Sequence, residues 1–331
     1  MSRIIQFATT GGPEVLEFKD IEVPLPGPGE VRIRVKALGL NRAESMWRAG
    51  GYMEEVKLPG RLGYEAAGLV DAIGPDVTRF AVGDAVNTVP AFSQNQYGMY
   101  GELVLAPVSA VVKHPPSLSF EEAASIWMMF ITVYGALIEA ADLRAGDVVL
   151  ITAASSSVGL AAIQLANMVG AIPVALTRTA AKRQQLLDAG AAAVVVTDEQ
   201  DLIAEVMRIT DGAGARVVFD AVGGPIFGKL LKAMKTSGIL LVHGALSEEP
   251  AQIPYLDLLI KLPTIIGFEI KTWNTMGDPV RQKAAVEFIT AGLASSALKP
   301  MIAKTFTLDE IVNAHRYLEA NNQFGKIVVT V

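Results

Sequence analysis

Between residues 147 and 270, short apolar runs alternate with longer segments whose apolar residues have helical spacing. The runs are rich in valine and isoleucine and apolar at successive positions, as parallel strands covered by helices on both faces are. We expect Gly190, Gly212 and Gly238 to end helices, because glycine tolerates the left-handed conformation. The pattern therefore predicts an α/β fold with a doubly wound parallel sheet. After an apolar run that begins at Asp147, helices are expected at 158–168, 180–189, 201–210 and 225–235, and strands at 172–177, 192–197, 216–222, 239–246 and 264–270.

The loop at residues 153–159 joins the apolar run that begins at Asp147 to the first helix and consists of small residues. Such a loop lets backbone N–H groups and a helix N-terminus receive the pyrophosphate of a dinucleotide. Compared with the pattern G-x-G-x-x-G, its three glycine positions hold Ala154, Ser156 and Gly159. The loop alone is equally compatible with an ordinary strand–turn–helix connection. The βαβ series that follows favours dinucleotide binding, with the Ser156 hydroxyl as an extra donor.

Residues 1–120 have a different pattern. Short segments of alternating polarity, at 31–37 and 66–73, are separated by Gly-Pro and Gly-Asp pairs, which is typical of a β-rich, barrel-like domain. Ser119 and Glu122 have the spacing of a capping box, so we expect a helix to begin there. Near the C-terminus the pattern predicts a helix at 308–320 and a strand at 326–331.

The composition narrows the class of protein. A chain of 331 residues is too long for one comfortable core, which predicts two domains. Hydrophobic residues make up 51%, yet no apolar run approaches the roughly 20 residues that cross a bilayer, and the N-terminus lacks the apolar stretch of a signal peptide. The absence of cysteine excludes disulfides and thiolate metal sites, and the net charge of −6 argues against nucleic-acid binding. We expect a cytoplasmic protein with neither membrane nor nucleic acid as a partner.

Seven motifs occur in an order that resembles the medium-chain dehydrogenase/reductases, and more closely their quinone-oxidoreductase-like branch. Each motif alone is weak evidence, whereas the ordered series is specific and covers nearly the whole chain. The motifs are Pro28-Gly-Glu-Val-Arg-Ile-Arg-Val, Gly39-Leu-Asn41, Leu62-Gly-Tyr-Glu-Ala-Ala-Gly68, Phe80-Ala-Val-Gly-Asp84, Thr132-Val-Tyr-Gly135, the loop at 153–159 and Phe219-Asp-Ala-Val-Gly-Gly224.

The resemblance implies two domains with an active site in the cleft between them. A GroES-like β-barrel catalytic domain would comprise residues 1–120, completed by 298–331, and a Rossmann domain would comprise residues 121–297. The resemblance also implies an oligomer. We expect a homodimer joined through the Rossmann sheets, with the strand at 239–242 and the apolar segment at 255–262 as candidate surface.

The zinc-dependent members of this family hold their catalytic metal through three positions that this chain fills differently. Where they have cysteine, histidine and a second cysteine or aspartate, this chain has Asn41, Tyr64 and Met128. An amide, a phenol and a thioether do not form the usual Zn²⁺ site. The cysteine cluster of the structural zinc is also missing, and the three histidines of the chain lack ligand spacing. We therefore expect no metal.

The resemblance assigns catalytic roles to Asn41 and Tyr64. Asn41 would face the nicotinamide end of the cleft, and its competing interpretation is a turn residue. Tyr64 is either a proton donor or a packed core tyrosine, and the sequence leaves both open. Thr132 matches a position beside the nicotinamide. The residues expected to line an apolar substrate pocket, for which core packing is the alternative, are Met46, Trp47, Tyr97, Trp127 and Met128.

A neutral residue, Thr177, stands where an NAD-specific site usually ends its second strand with an acidic one. Arg178 follows it, and Lys182 stands near the start of the next helix. We expect this pair to bind the 2′-phosphate of NADPH, the alternative being solvated charges at a helix end. The residues expected to bind the cofactor are Asn41, Thr132, Ser155, Ser156, Ser157, Val158, Gly159, Thr177, Arg178, Lys182, Val222, His243, Gly244 and Ala245.

The loss of zinc removes a strong Lewis acid and so favours an activated substrate. The sequence predicts an NADPH-dependent oxidoreductase that transfers hydride to a quinone or an α,β-unsaturated carbonyl without a metal. The Asn41 amide and the Tyr64 hydroxyl would face the developing oxyanion. Two alternatives stay open: a zinc-independent alcohol dehydrogenase of this superfamily, and a noncatalytic NADPH-binding protein.

Overall fold

A computed structural model of the chain describes residues 1–270 and 278–331. They form two compact units: residues 1–128, 278–279 and 300–331 belong to the first, and residues 129–270 and 280–299 to the second. The strands are β1 (Ser2–Phe7), β2 (Glu17–Ile21), β3 (Glu30–Leu40), β4 (Gly60–Arg61), β5 (Glu65–Ile73), β6 (Ala85–Thr88), β7 (Leu103–Pro107), β8 (Val111–Lys113), β9 (Val148–Ile151), β10 (Ile172–Thr177), β11 (Ala193–Val196), β12 (Ala215–Asp220), β13 (Met234–Val242), β14 (Thr264–Gly267), β15 (Ile302–Thr307) and β16 (Lys326–Thr330). The α-helices are α1 (Arg42–Ala49), α2 (Phe120–Ala123), α3 (Trp127–Val133), α4 (Ser157–Met168), α5 (Arg183–Asp188), α6 (Leu202–Ile209), α7 (Ile226–Ala233), α8 (Tyr255–Lys261), α9 (Pro279–Ala294) and α10 (Ile311–Glu319).

The second unit contains a six-stranded sheet of order β11-β10-β9-β12-β13-β14, in which every neighbouring pair is parallel. Apolar strand residues such as Leu150, Val174, Val218 and Leu240 are fully buried in its core. The strand order reverses between β9 and β12, which makes the carboxyl end of β9 the topological switch point where such sheets bind ligands. The prediction of a doubly wound parallel sheet is confirmed, and the loop at 153–159 follows the strand at the switch point.

The first unit is built on a sheet of order β15-β16-β3-β5-β6-β8, in which β7 also pairs with β3. A smaller sheet has the order β2-β1-β4. The long strand β3 pairs antiparallel with both β5 and the C-terminal strand β16, with Ile327 opposite Leu40. This register brings Lys326, at the start of β16, beside the point where β3 leads into α1. The C-terminal strand therefore contributes to the same structure as the Gly39-Leu-Asn41 motif.

Several predicted boundaries are wrong. Gly238 does not end a helix but lies within β13, which begins at Met234 directly after α7. A left-handed residue, Ser237 at φ 58°, and a register shift opposite β12 accommodate this early start. The strands predicted to reach residues 246 and 270 end at Val242 and Gly267, because their last apolar residues belong to loops. Since β13 lies between β12 and β14, its residues 239–242 are interior to the sheet, and their assignment to a dimer surface is also wrong.

Two helical predictions hold in part. The segment predicted as a helix at 180–189 starts as a 3₁₀ turn at Ala180–Lys182 and continues as α5. The helix predicted at 308–320 likewise has a 3₁₀ turn, Leu308–Glu310, before α10. The capping box at Ser119 is confirmed, because its hydroxyl accepts from the Glu122 N–H at 3.2 Å and its own N–H donates to the Glu122 carboxylate at 2.8 Å.

The helical stretch Phe120–Ala140 corrects one expectation from composition. Within the described residues it is the stretch with enough length and apolar character to cross a membrane, although no run was expected to approach that length. In its most apolar window, 83% of the residues are buried inside the protein. A core helix of a folded protein has this property. The stretch ends in a π-helical segment, Tyr134–Ala140, which the apolar periodicity did not indicate.

Candidate functional site

The loop after β9 has the local geometry of a helix N-terminus open to an anion. The Ser156 hydroxyl caps α4 by accepting from the Gly159 N–H at 3.1 Å, so its hydrogen stays available to donate. Ala153 takes a left-handed conformation, with φ at 45°. A Cβ on Gly159 would lie 2.7 Å from the Ala153 carbonyl oxygen. This close packing of loop and helix explains why glycine is kept at the third motif position while alanine and serine fill the other two.

Lys182 and Ser155 are joined at this edge of the parallel sheet. The Lys182 ammonium donates to the Ser155 hydroxyl at 3.2 Å, and burial, followed by the charge of Arg178, lowers the pKa of Lys182. Arg178 is exposed just after β10, beyond the partly buried Thr177. The backbone N–H of Asp198 donates to the Arg178 carbonyl at 3.2 Å, so an acidic residue lies beside Arg178. The structure thus brings three of the predicted phosphate-binding residues to one edge.

The loops after β12 and β13 lie at the same edge. Asp220 is fully buried and accepts from Thr152 Oγ1 at 2.8 Å and from the backbone N–H of Val222 at 2.9 Å, which is a structural role. The His243 ring stacks on Phe219 at 3.7 Å between centroids. Burial lowers the pKa of His243 to about 3, so the imidazole is neutral at physiological pH.

The loop after β13 continues from His243 with Gly244 and Ala245. A Cβ on Gly244 would lie 2.8 Å from the Ala221 carbonyl oxygen, so the backbone at Gly244 passes close to that of Ala221, and Ala245 is exposed beyond it.

A depression of about 200 Å³ also opens at this edge of the sheet, and sequence reasoning missed it because no motif marks it. It is lined by Thr197, Asp198, Leu202, Pro225, Ile226 and Lys229.

In the first unit, Asn41 lies at the N-terminus of α1 and is buried. Its side-chain oxygen accepts from the Lys326 ammonium at 2.5 Å. Its side-chain nitrogen has three acceptors: the Gly39 carbonyl at 3.2 Å, Glu65 Oε2 at 3.2 Å and Glu44 Oε1 at 3.3 Å. Both amide hydrogens therefore have partners within the unit, which departs from the oxyanion role expected from the sequence.

Glu44, Glu65 and Lys326 form a buried ionic cluster that sequence reasoning missed. Glu44 and Glu65 are fully buried, and Lys326 is 1% exposed. Glu65 pairs with the Lys326 ammonium and also accepts from the Met128 N–H at 2.8 Å. Glu44 accepts from the Asn41 N–H at 2.5 Å and from the Tyr64 N–H at 3.2 Å. Burial raises the pKa of Glu44 to about 7, although the charge of Lys326 and the hydrogen bonds from Asn41 oppose the rise.

The surroundings of Gly39 leave no room for a side chain, which explains why the Gly39-Leu-Asn41 motif begins with glycine. A Cβ at this position would lie 2.0 Å from the Ala124 carbonyl oxygen, 2.9 Å from Lys326 Cε and 3.0 Å from Glu65 Oε2. The missing side chain therefore leaves the space in which Lys326 reaches Glu65. Asn41 and Glu44 form a capping box at the start of α1, which by spacing alone indicates only a helix start, and Lys326 is distant in sequence, so only the sheet register could reveal the cluster.

Tyr64 is 1% exposed and packs against Phe92 at 5.6 Å between ring centroids. Its hydroxyl has no hydrogen-bond partner among residues 1–270 and 278–331. Burial, with the neighbouring Tyr52 and Glu44, raises the pKa of Tyr64 well above its ordinary value. The hydroxyl thus stays protonated at physiological pH, with Tyr52 and Gln94 as its polar neighbours.

The predicted pocket residues differ in exposure. Trp47 is fully buried, and its indole N–H donates to the Arg61 carbonyl at 2.9 Å, as a core tryptophan does. Trp127 and Met128 are also buried, whereas Met46 and Tyr97 are partly exposed. The Tyr97 hydroxyl donates to Glu30 at 2.8 Å. In the second unit, Thr132 is buried on α3.

Comparison with known proteins matches this architecture over the whole chain. A family described as "Alcohol dehydrogenase GroES-like domain" matches residues 27–116, and one described as "Zinc-binding dehydrogenase" matches residues 157–290. The quinone oxidoreductase of Pseudomonas aeruginosa is 32% identical over 99% of both chains. The chain belongs to the medium-chain dehydrogenase/reductase superfamily, in its quinone-oxidoreductase-like branch.

Two solved structures of this superfamily share the complete fold. The quinone oxidoreductase of Escherichia coli, whose structure is complexed with NADPH, is 27% identical with a TM-score of 0.90, covering 99% of this chain and 100% of the other. An NAD-dependent alcohol dehydrogenase is 32% identical with a TM-score of 0.89, covering 99% of both chains. The first unit is thus the GroES-like domain and the second the Rossmann domain, and the chain is an oxidoreductase of this superfamily.

The name of the second family raises the question of zinc, and the residues do not fit it. Asn41, Tyr64 and Met128 supply an amide, a phenol and a thioether, which are poor ligands for Zn²⁺. The Asn41 oxygen is already bound by the Lys326 ammonium, whose positive charge opposes a second cation there. Across the two described ranges, no cluster of three or more His, Cys, Asp or Glu residues could hold a metal ion.

Proposed function

We propose that this chain is an NADPH-dependent oxidoreductase that reduces a quinone or an α,β-unsaturated carbonyl without a metal. The observation that carries the proposal is the ammonium of Lys326 at the first of the three ligand positions, on Asn41. Without a strong Lewis acid a plain ketone is harder to reduce, whereas conjugation delocalises the charge that develops during reduction. The full-length similarity to quinone oxidoreductases supports this substrate class.

The edge of the Rossmann sheet fits the cofactor, which supplies the hydride when bound. Backbone N–H groups of residues 155–159, at the start of α4, would receive the pyrophosphate. Arg178 and Lys182 would hold the 2′-phosphate, and the depression beside Thr197 would receive the adenosine end. Residues Val222, His243, Gly244 and Ala245, on loops at the same edge, would continue toward the nicotinamide, where Thr132 is proposed as a further contact.

Tyr64 is proposed as the hydrogen-bond donor to the substrate oxygen, because its hydroxyl, with Tyr52 and Gln94 as polar neighbours, makes no hydrogen bond of normal geometry among the residues described. The raised pKa of Tyr64 keeps this donor protonated but makes it a weak acid. We therefore propose that water donates the proton that completes the reduction. Asn41 is proposed to be held at the site by its side-chain hydrogen bonds to Glu65 and Lys326. Met46, Tyr97, Trp127 and Met128, with Trp47 behind them, are proposed to make the substrate surface apolar.

A substrate panel tests the proposal. NADPH oxidation should be measured with benzoquinones and α,β-unsaturated ketones, and NADP⁺ reduction with simple alcohols. We expect turnover of the conjugated acceptors, little activity on alcohols and no dependence on added zinc. Asn41→Ala should lower kcat more than it raises the KM for NADPH, and Tyr64→Phe tests the donor separately. Stoichiometric zinc in the purified protein, or efficient alcohol oxidation without any quinone or enone turnover, contradicts the proposal.

A zinc-independent alcohol dehydrogenase is the second candidate. The specific observation in its favour is the 32% identity to an NAD-dependent alcohol dehydrogenase over 99% of both chains. The same panel separates the two functions, because an alcohol dehydrogenase oxidises unactivated alcohols. NADPH bound without turnover of any panel member would instead indicate the noncatalytic binding protein.

We further propose a homodimer formed through the β14 edge of the Rossmann sheet, in a soluble, cytoplasmic protein. Strand β14 ends the sheet order, and the neighbouring α8 exposes large apolar side chains. Burying such a patch in a second copy would remove it from water. The exposed residues are Tyr255, Leu256, Leu259, Ile260 and Leu262.

A further inference from the structure

The three positions that hold zinc ligands in related enzymes are connected by two buried carboxylates in this chain. Glu44 accepts from the backbone N–H of Asn41 at 2.5 Å and of Tyr64 at 3.2 Å. Glu65 accepts from the Asn41 side chain at 3.2 Å and from the Met128 N–H at 2.8 Å. Asn41, Tyr64 and Met128 are therefore bound to a common pair of acceptors.

Lys326 provides the positive charge for this arrangement. Its ammonium pairs with Glu65 and donates to the Asn41 side-chain oxygen at 2.5 Å. With Lys326 only 1% exposed and Glu65 fully buried, solvent does not weaken the pair. Strand β16 delivers this residue from the C-terminal end of the chain, and Gly39 leaves the space for it.

The ammonium also fixes which way the Asn41 amide points. An ammonium can only donate, so the group facing it must be the amide oxygen. The amide nitrogen is then directed at the Gly39 carbonyl and at Glu65, which pairs with the ammonium, as well as at Glu44. A flipped amide would place its N–H groups against the ammonium and its oxygen against the Gly39 carbonyl oxygen and Glu65.

We propose that the cluster of Lys326, Glu65 and Glu44 takes over the organising role of the missing metal by fixing Asn41, Tyr64 and Met128 relative to one another. Lys326 is accordingly a positioning residue for the reaction, acting through Asn41 and Glu65 rather than on the substrate. The kinetic measurements that test this inference (the kinetic arm) rest on the proposed function, whereas the NMR measurement (the structural arm) does not.

The decisive variant is the double substitution Glu65→Gln with Lys326→Met. Lys326→Met alone leaves an unpaired buried carboxylate, which destabilises the fold for reasons unrelated to positioning. Glu65→Gln removes that charge and keeps an acceptor for the Met128 N–H. We expect the double variant to melt close to the unmutated protein, to lose about tenfold or more in kcat, and to keep its KM for NADPH within about twofold.

A matched control is the double substitution Arg48→Met with Glu319→Gln. This pair lies in the same unit, with Arg48 2% exposed, but it has no bond to the three positions. We expect it to lower the melting temperature while kcat stays within about twofold. If the control loses kcat as strongly as the cluster variant, general loosening of the unit explains both, and the inference fails.

The structural arm follows the Asn41 side-chain NH₂ group by NMR on protein labelled with ¹⁵N-asparagine, assigned by its absence in Asn41→Ala. In the unmutated protein this group should be protected from solvent exchange, and the protection should be lost in the cluster variant. Fast exchange in the unmutated protein, or wild-type kcat and protection in the double variant, overturns the inference. Fast exchange in the unmutated protein is decisive even if the double variant does not fold. Failure of the unmutated protein to reduce any quinone or enone counts against the proposed function alone.

Discussion

At the scale of single residues, Glu44 links folding to pH. Its pKa is raised from 4.5 to about 7 by burial, so the folded protein binds a proton that the unfolded chain has released. The stabilisation is fully present below pH 4.5 and is lost as the pH rises through 7. The loss is on the order of 3 kcal/mol.

Glu44→Gln should remove this contribution, because glutamine keeps an acceptor oxygen without an ionisable proton. Burial lowers the pKa of His243 and His315 to about 3, so both histidines make the free energy of unfolding rise with pH in either protein. Chemical denaturation between pH 4.5 and 8 should therefore show the free energy of unfolding of the unmutated protein falling relative to that of the variant, and this difference isolates Glu44. Glu22→Gln, an exposed position, should keep the original slope. Parallel profiles for the Glu44 variant and the unmutated protein would show that Glu44 is ionised throughout.

At the same scale, Arg178 is proposed to make the protein prefer NADPH over NADH. Arg178→Ala should raise the KM for NADPH much more than that for NADH, because only NADPH carries the phosphate that a guanidinium grips. Arg183→Ala, an exposed arginine at the start of α5, is the control and should change neither KM. Equal KM values for both cofactors in the unmutated protein would refute the assignment. The negative charge of Asp198, beside Arg178, repelling the 2′-phosphate would then be the physical explanation.

At the scale of elements, the junction of β9 and α4 depends on the missing side chain of Gly159. Gly159→Ala places a Cβ 2.7 Å from backbone atoms of residues 153 and 154, so α4 must move away from the loop. We expect a destabilisation of about 1–3 kcal/mol and weaker cofactor binding. Gly51→Ala meets no atom within 4 Å and should change neither. Melting temperature and fluorescence titration with NADPH measure both effects, and unchanged NADPH affinity in the Gly159 variant would argue against this loop as the pyrophosphate site.

The elements also show where sequence patterns stop being informative. Strand β10, whose bounds were predicted correctly, is apolar from Ile172 to Leu176 and buried from Pro173 to Leu176, so its pattern is recognisable whatever its neighbours are. Strand β15 is half exposed and mixes polar with apolar residues, and it was not predicted. The ends of β13 and β14 were misplaced because apolar loop residues extend the strand pattern.

At the scale of the whole molecule, the exposed face of α8 predicts association. Leu259, 62% exposed, lies on α8, the helix that precedes the edge strand β14 in the chain, and Leu259→Glu should convert a dimer to a monomer because it would bury a charge. Leu25→Glu, at a leucine 74% exposed in the other unit, should leave the dimer intact. Light scattering at micromolar concentration measures the mass, and a monomeric unmutated protein would contradict the proposal.

The sequence by itself determined the class of the fold and the absence of the usual zinc ligands. Both properties are local: apolar strands, a small-residue loop and the identities of Asn41, Tyr64 and Met128 can be read without knowing what surrounds them. The sequence also predicted that Arg178 and Lys182 follow the second strand of the βαβ unit, because that position is found by counting along the chain.

Only the tertiary structure decided what surrounds Asn41. Lys326 is 285 residues away along the chain and reaches Asn41 through the pairing of β16 with β3. Glu65 resembled any motif residue until its burial and its bond to Met128 were known. Hydrogen-bond partners depend on which strands are neighbours and on what space a glycine leaves, and these are properties of packing that no local pattern encodes.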